Sequence, residues 1–223
     1  MHEAGFKDRL RIAIDSTGLE ERHASRHYLG RVKDKKCKQR YWTKLSVACD
    51  TDTHLILSAR TGRGPSNECV LWKPLLKAAV RHFPVDTALA DAGFDSEDNH
   101  ALARRNLNVR LTIIALNPRT HGRKWPQTKY RRQMRRRFLK GVYHQRSHVE
   151  SLFSQHKRIL LSQLRARLQR TRRSEVLLRV LVHNILLLSF FLWYLCNRAS
   201  QGDGGAIKVR QRAKCALCFA FDF

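Results

Sequence analysis

Apolar and polar residues alternate through Leu10-Arg11-Ile12-Ala13-Ile14-Asp15. That is a strand pattern carrying an acid at its C-terminal tip, with Ser16-Thr17-Gly18 turning away. Glu20 to Gln39 is charged, lacks apolar periodicity and reads as a loop. A second strand covers Tyr41 to Cys49 and a third His54 to Arg60; Asp50-Thr51-Asp52-Thr53 between them makes a hairpin turn. After the break at Thr61-Gly62-Arg63-Gly64-Pro65, Ser66 is the expected cap of a helix to about His82, with Val70, Leu71, Leu75, Ala78 and Ala79 near helical spacing. Thr87-Ala88-Leu89-Ala90-Asp91 is a short apolar strand that again ends in an acid. Asp95 or Ser96 should cap a helix to about Asn106, with acids in its first turn. Val109 to Ala115 is a fifth strand. A hairpin followed by right-handed crossovers predicts an α/β fold, a mixed five-stranded sheet flanked by helices.

The second half has a different rhythm. From Tyr143 to Lys157 the periodicity is helical, and Tyr143, Arg146, Glu150 and Lys157 fall within an arc of roughly 60°. Val149, Leu152, Phe153, Ile159 and Leu160 gather on the neighbouring arc. One flank should therefore be buried beside a face that sorts its charges, with the helix continuing through Arg165 to Arg173. Ser174 should cap an apolar helix to about Arg198. Arg179, His183 and Asn184 interrupt that helix, and Ile185 to Cys196 is shorter than the ~20 residues a bilayer requires. It reads as a buried core helix. No internal repeat is visible. The expected organisation is one domain over residues 1–198, a basic segment at 117–140 within it, and a tail of unassigned role at 199–223.

Charge narrows the partner. The 223 residues hold 44 Lys and Arg against 18 Asp and Glu, a formal net charge of +26. Such a chain repels itself without an anionic partner, and nucleic acid is the usual one. Arg131, Arg132, Arg135, Arg136 and Arg137 form a run suited to phosphate contact, although a run like this also serves as a solvated face. Thr61-Gly62-Arg63-Gly64-Pro65 lacks the ending of a phosphate-binding P-loop, so no nucleotide cofactor is expected. Four of the six cysteines, Cys37, Cys49, Cys69 and Cys196, are scattered and read as free thiols. Cys215-Ala216-Leu217-Cys218 is a lone CxxC without the further ligands zinc requires. The histidines show no paired metal-binding spacing. Met1 to Arg11 is polar and mixed, unlike a signal peptide.

Candidate chemistry rests on three acids: Asp15 and Asp91 at strand ends, and Glu150 on the inward face of a helix. A lone Asp at a strand end is ordinarily a turn residue, and Asp50, Asp52, Asp86 and Asp95 read that way. Three carboxylates brought together repel one another unless a cation is present, and oxygen ligands suit Mg²⁺ or Mn²⁺. Two such ions would clamp the attacking and leaving oxygens of an in-line phosphoryl transfer.

These residues resemble a known family, the DDE transposases of IS4/IS5-like insertion sequences. The family's helix signature, Tyr-(2)-Arg-(3)-Glu-(6)-Lys, is kept at Tyr143, Arg146, Glu150 and Lys157. Ile14-Asp15-Ser16-Thr17 looks like its first-strand motif. Leu89-Ala90-Asp91-Ala92-Gly93-Phe94-Asp95-Ser96 is similar to its second. The resemblance covers roughly residues 10–195. It implies an RNase H-like core, a divalent-metal triad of Asp15, Asp91 and Glu150, and cleavage and joining of double-stranded DNA at element ends. It further implies phosphate contacts from Tyr143, Arg146 and Lys157, a homodimer assembled on DNA, and a cytoplasmic, nucleoid-associated protein of a prokaryote with no membrane partner. Family members carry a region ahead of the first catalytic strand, whereas here about one strand precedes Asp15. The spacing between the second and third acids leaves no room for a large β-insertion. The corresponding expectation is a truncated copy, and the alternative function is a catalytically inactive protein that only binds DNA.

Overall fold

The computed structural model describes residues 9–21, 42–117 and 125–200. The expected loop from Glu20 to Gln39 lies largely outside them, as do the CxxC and the tail beyond residue 200. The chain divides into two units, Asp8–Val176 and a second made of Met1–Lys7 with Leu177–Phe223.

The first unit is built on a mixed sheet. Strand β1 (Leu10–Glu21) pairs antiparallel with β2 (Trp42–Asp50), and β2 pairs antiparallel with β3 (Ile56–Gly64). On its other side β1 pairs in parallel with β4 (Val85–Ala90), which pairs in parallel with β5 (Leu111–Ile114). The order is β3-β2-β1-β4-β5. The turn between β2 and β3 is closed by Asp50, whose carboxylate accepts the Thr53 N–H at 3.0 Å and hydroxyl at 2.6 Å. His54 follows with a left-handed φ of 61°.

Both sheet faces are buried, as crossover connections require. Ile12, Ile14, Ala48, Ala88, Ala90 and Ile114 form one core with Trp72, Leu75, Leu76 and Ala79 of helix α1 (Trp72–His82). Those four helical positions span two turns of one face. Ala13, Val47, Leu89 and Ile113, which alternate with the first set, are also buried. Helix α2 (Glu97–Ala101), extended by a wider turn over Leu102–Asn106, precedes β5. Beyond β5 come α3 (Lys129–Arg136), α4 (Lys140–Tyr143), a 3₁₀ turn at His144–Arg146, and α5 (Ser147–Leu160), which lies against β1 and buries Val149, Leu152 and Phe153.

Several boundaries differ from expectation. β1 does not end at Asp15: Ser16, Thr17 and Gly18 stay extended because they pair with Ser46, Leu45 and Lys44 of β2. Asp15 is therefore a mid-strand residue. Helix α1 begins after a 3₁₀ turn at Cys69–Leu71 rather than at Ser66. Ser96 occupies the N-cap position of α2 without a side-chain cap, and Asp95 is engaged elsewhere. α5 stops at Leu160: Leu161 has φ 71°, and Gln163–Leu164 (β6) pairs in parallel with Glu20 and Glu21. The last helix, α6 (Gln169–Ser200), starts before Ser174, whose hydroxyl donates back to the Arg170 carbonyl.

In the second unit, the described residues 177–200 continue α6. It is not the uniformly buried helix expected. Val180, His183 and Leu188 are covered, but Leu178, Val182, Ile185, Phe190, Leu192 and Trp193 are exposed. By length and composition alone Gln169–Trp193 could also cross a bilayer, a test that soluble core helices pass too.

Candidate active site

The sheet register brings the two aspartates together. In the parallel pair Ile14 lies opposite Ala90, so the next residue on each strand, Asp15 and Asp91, continues side by side. Alternation puts Asp15 on the face of Ala13, and Asp91 continues the face of Leu89. Asp15 accepts the N–H of Ser16 at 2.7 Å. Asp91 leaves the end of β4 into a short 3₁₀ turn, Ala92–Phe94, and accepts the N–H of Gly93 at 2.9 Å.

Arg146 links the aspartates to α5. Its Nη1 is 3.2 Å from Oδ2 of Asp15, and its Nη2 is 2.5 Å from Oε1 of Glu150. The residues before it hold the turn in place. The Gln145 side chain accepts from the Arg11 guanidinium on β1. The Tyr143 ring packs on Phe138 with centroids 4.8 Å apart, and the Arg146 guanidinium lies 5.8 Å from the Tyr143 centroid. His54 and His148 share a hydrogen bond of 2.8 Å, which ties the β2–β3 turn to the first turn of α5. Lys157 lies about two turns past Glu150, partly exposed.

Electrostatics mark this cluster. Burial, with Asp91 and Glu68 nearby, pushes the Asp15 carboxyl up to about 6 against the lowering effects of the Ser16 N–H and Arg146. Asp91 is raised too, by burial and by Glu68, while the Gly93 N–H, Arg146 and Lys44 act the other way. Burial raises the Tyr143 phenol, which also feels Arg146 and both aspartates. Two carboxylates pushed upward together are short of positive charge.

The expected meeting of three acids takes a bridged form. Among the described residues, no three His, Cys, Asp or Glu side chains gather closely enough to enclose one metal ion. Asp15 and Asp91 are neighbours, and Glu150, its side chain 56% exposed, joins them through the Arg146 guanidinium. The pair of aspartates still fits a hard divalent cation, because it offers adjacent carboxylate oxygens with unbalanced negative charge.

The basic run divides. Arg131 is buried and forms a two-pronged ion pair with Asp95, Nε to Oδ1 at 2.8 Å and Nη2 to Oδ2 at 2.6 Å. Asp95 also accepts the Asn117 N–H, and Glu97 accepts the N–H groups of Tyr130 and Arg131 at the start of α3. Arg131 is therefore an anchor of α3 on α2, a correction to its placement among the phosphate contacts. Arg132 is half-buried and donates to the Gln127 carbonyl at 2.9 Å. Arg135, Arg136 and Arg137 are exposed.

Glu68 and Lys44 escaped the sequence reading. Glu68 follows the break after β3, and no local pattern distinguishes it. Only the crossover into α1 brings it to Asp91.

The sequence matches the family described as "Transposase DDE domain" over residues 6–185. No curated protein and no solved structure matches the chain. The mixed sheet is consistent with the RNase H-like fold of such domains. They serve DNA transposition, act on DNA and in general use divalent metal ions. On a match covering most of its length, laid over that sheet and its paired aspartates, the chain belongs to the transposase DDE-domain family.

Proposed function

We propose that the chain is a transposase of the IS4/IS5-like group that cleaves and joins double-stranded DNA at insertion-sequence ends, with Asp15, Asp91 and Glu150 as its acidic triad. The observation that carries the reading is the bridge of Arg146 between Asp15 and Glu150, with Asp91 beside Asp15 on the neighbouring strand. It joins two of the three motif acids through the motif arginine, with the third beside them on the neighbouring strand. The catalytic domain in this reading is 1–198, with 199–223 as a tail.

Asp15 and Asp91 would hold Mg²⁺ or Mn²⁺, with Glu150 completing the set once its carboxylate is released from Arg146. Two such ions supply Lewis-acid activation of the attacking oxygen and charge neutralisation at the departing one. The protein's own groups do the rest. Arg146 offers a planar fork to a phosphate near the scissile end, Tyr143 a hydroxyl beside it and Lys157 a point charge further along α5. Arg135, Arg136 and Arg137, with Arg132 at the edge, would follow the DNA backbone. The buried strand residues Ala13 and Leu89, on the same sheet face as the aspartates, hold the two strands that carry them in the core. Assembly as a homodimer on paired ends and a site of action on the nucleoid belong to the same reading.

A second reading, DNA binding without catalysis, draws on the engagement of Glu150 by Arg146. The two are separated by incubating DNA that carries the element's ends with Mg²⁺ or Mn²⁺. Metal-dependent nicking that Asp91→Asn and Glu150→Gln abolish supports the transposase. Binding without nicking supports the alternative.

A further inference from the structure

A buried ion pair stands behind Asp91. The Lys44 side chain on β2 is 7% exposed, and its Nζ lies 2.8 Å from Oε1 of Glu68 and donates to the Ser66 carbonyl at 3.1 Å. An ammonium this covered needs partners, and these two fix it between β2 and the segment ahead of α1. The other Glu68 oxygen points to the turn after β4. A Cβ placed on Gly93 would stand 2.6 Å from Glu68 Oε2 and 3.1 Å from Asp91 Oδ1. Gly93 has no side chain, and so the two carboxylates close on the one spot that a side chain there would occupy. The same Gly93 N–H is the donor that orients Asp91.

We infer that Lys44 and Glu68 are positioning residues for Asp91: Lys44 clamps Glu68, and Glu68 fixes the Gly93 turn and adds negative charge behind the aspartate. This rests on the reading of Asp91 as a metal ligand and extends it to two residues outside the motif. The Glu68 carboxylate carries its negative charge beside the turn that holds Asp91. Its charge strengthens the attraction of the aspartate pair for a divalent cation. Its contact with the turn keeps the Asp91 oxygens aimed at the Asp15 side.

The test is a Mn²⁺ titration of the DNA-free full chain, followed by electron paramagnetic resonance, with thermal unfolding recorded for each variant. Glu68→Gln should weaken Mn²⁺ binding about tenfold, the scale of one nearby charge in a partly screened site, and Glu68→Asp should recover part of the loss. Should Glu68→Gln fail to fold with its ammonium stranded, the double change Lys44→Met with Glu68→Leu replaces the ion pair by an apolar pair of unchanged net charge, and a smaller, severalfold weakening is expected from loss of the contact with the Gly93 turn alone. Wild-type affinity in folded Glu68→Gln or in the double variant overturns the inference. Asp91→Asn is the separate control. If the wild type binds no Mn²⁺, or Asp91→Asn binds it as well as the wild type, the metal reading itself fails. If Asp91→Asn loses binding and Glu68→Gln does not, only the role of Glu68 fails.

Discussion

Arg146, in the turn ahead of α5, meets Asp15 of β1 at 3.2 Å, although the two are 131 positions apart in sequence. The same guanidinium holds Glu150 one helical turn away. It thus stands where a shared cation would balance these two acids. Arg146→Gln should have opposite effects on two ligands. Mn²⁺ binding to the DNA-free protein should tighten, by about tenfold for removal of one competing charge, while DNA binding weakens and its salt dependence flattens. Parallel Mn²⁺ and DNA titrations check this; weaker binding of both would contradict the bridging role.

Arg131 and its neighbours separate stability from binding. Arg131→Met strands the fully covered Asp95 side chain and should lower stability by about 3–5 kcal/mol, as breaking a buried pair does. Replacing exposed Arg135, Arg136 and Arg137 by Gln should leave the unfolding midpoint nearly unchanged. It should lower the slope of log affinity against log salt by about 0.9 for each phosphate that is no longer neutralised. Denaturant melts and filter binding at several salt concentrations read the two effects.

His100 predicts a pH dependence. It is fully buried, with Nδ1 2.6 Å from the Thr112 hydroxyl, and burial with Arg104 nearby lowers it from 6.5 to about 4. The unfolded chain therefore binds this proton more readily than the folded one. The neutral ring's contribution is complete above pH 6.5 and is lost as pH falls toward 4, a swing of roughly 3 kcal/mol. The unfolding free energy of the wild type should fall as pH is lowered through that window, and His100→Gln should show a flatter profile. Equal slopes for both proteins would exclude His100 as the source.

Much of this was legible in the sequence for physical reasons that can be traced. Alternation located β1, and short apolar runs bounded by turn residues located the other four strands of the main sheet; the helical spacing of α1 picked out Leu75 and Ala79 of its buried face but not Trp72 and Leu76. Asp15, Asp91, Arg146 and Glu150 were singled out by type and spacing, and the parallel register explains why the two aspartates are neighbours. What failed depended on partners distant in sequence. Ser16-Thr17-Gly18 looks like a turn but is held extended by β2. Arg131 cannot be told from Arg135 in a run of arginines, because only Asp95, folded beneath it, sets it apart. Glu68 has no signature of its own, and Gly93 reveals it only through the space its missing side chain leaves.

The central claim is that Asp15, Asp91 and Glu150 act as one metal-dependent cleavage site. It is tested most directly by single-turnover nicking of DNA bearing the element's ends, comparing wild type with Glu150→Gln at saturating Mg²⁺ and matched DNA occupancy. Metal-dependent nicking by the wild type that falls at least about 100-fold in the variant, with DNA affinity retained, is the predicted result. Equal nicking by both proteins, or none by the wild type when it is bound to ends and metal, would contradict it.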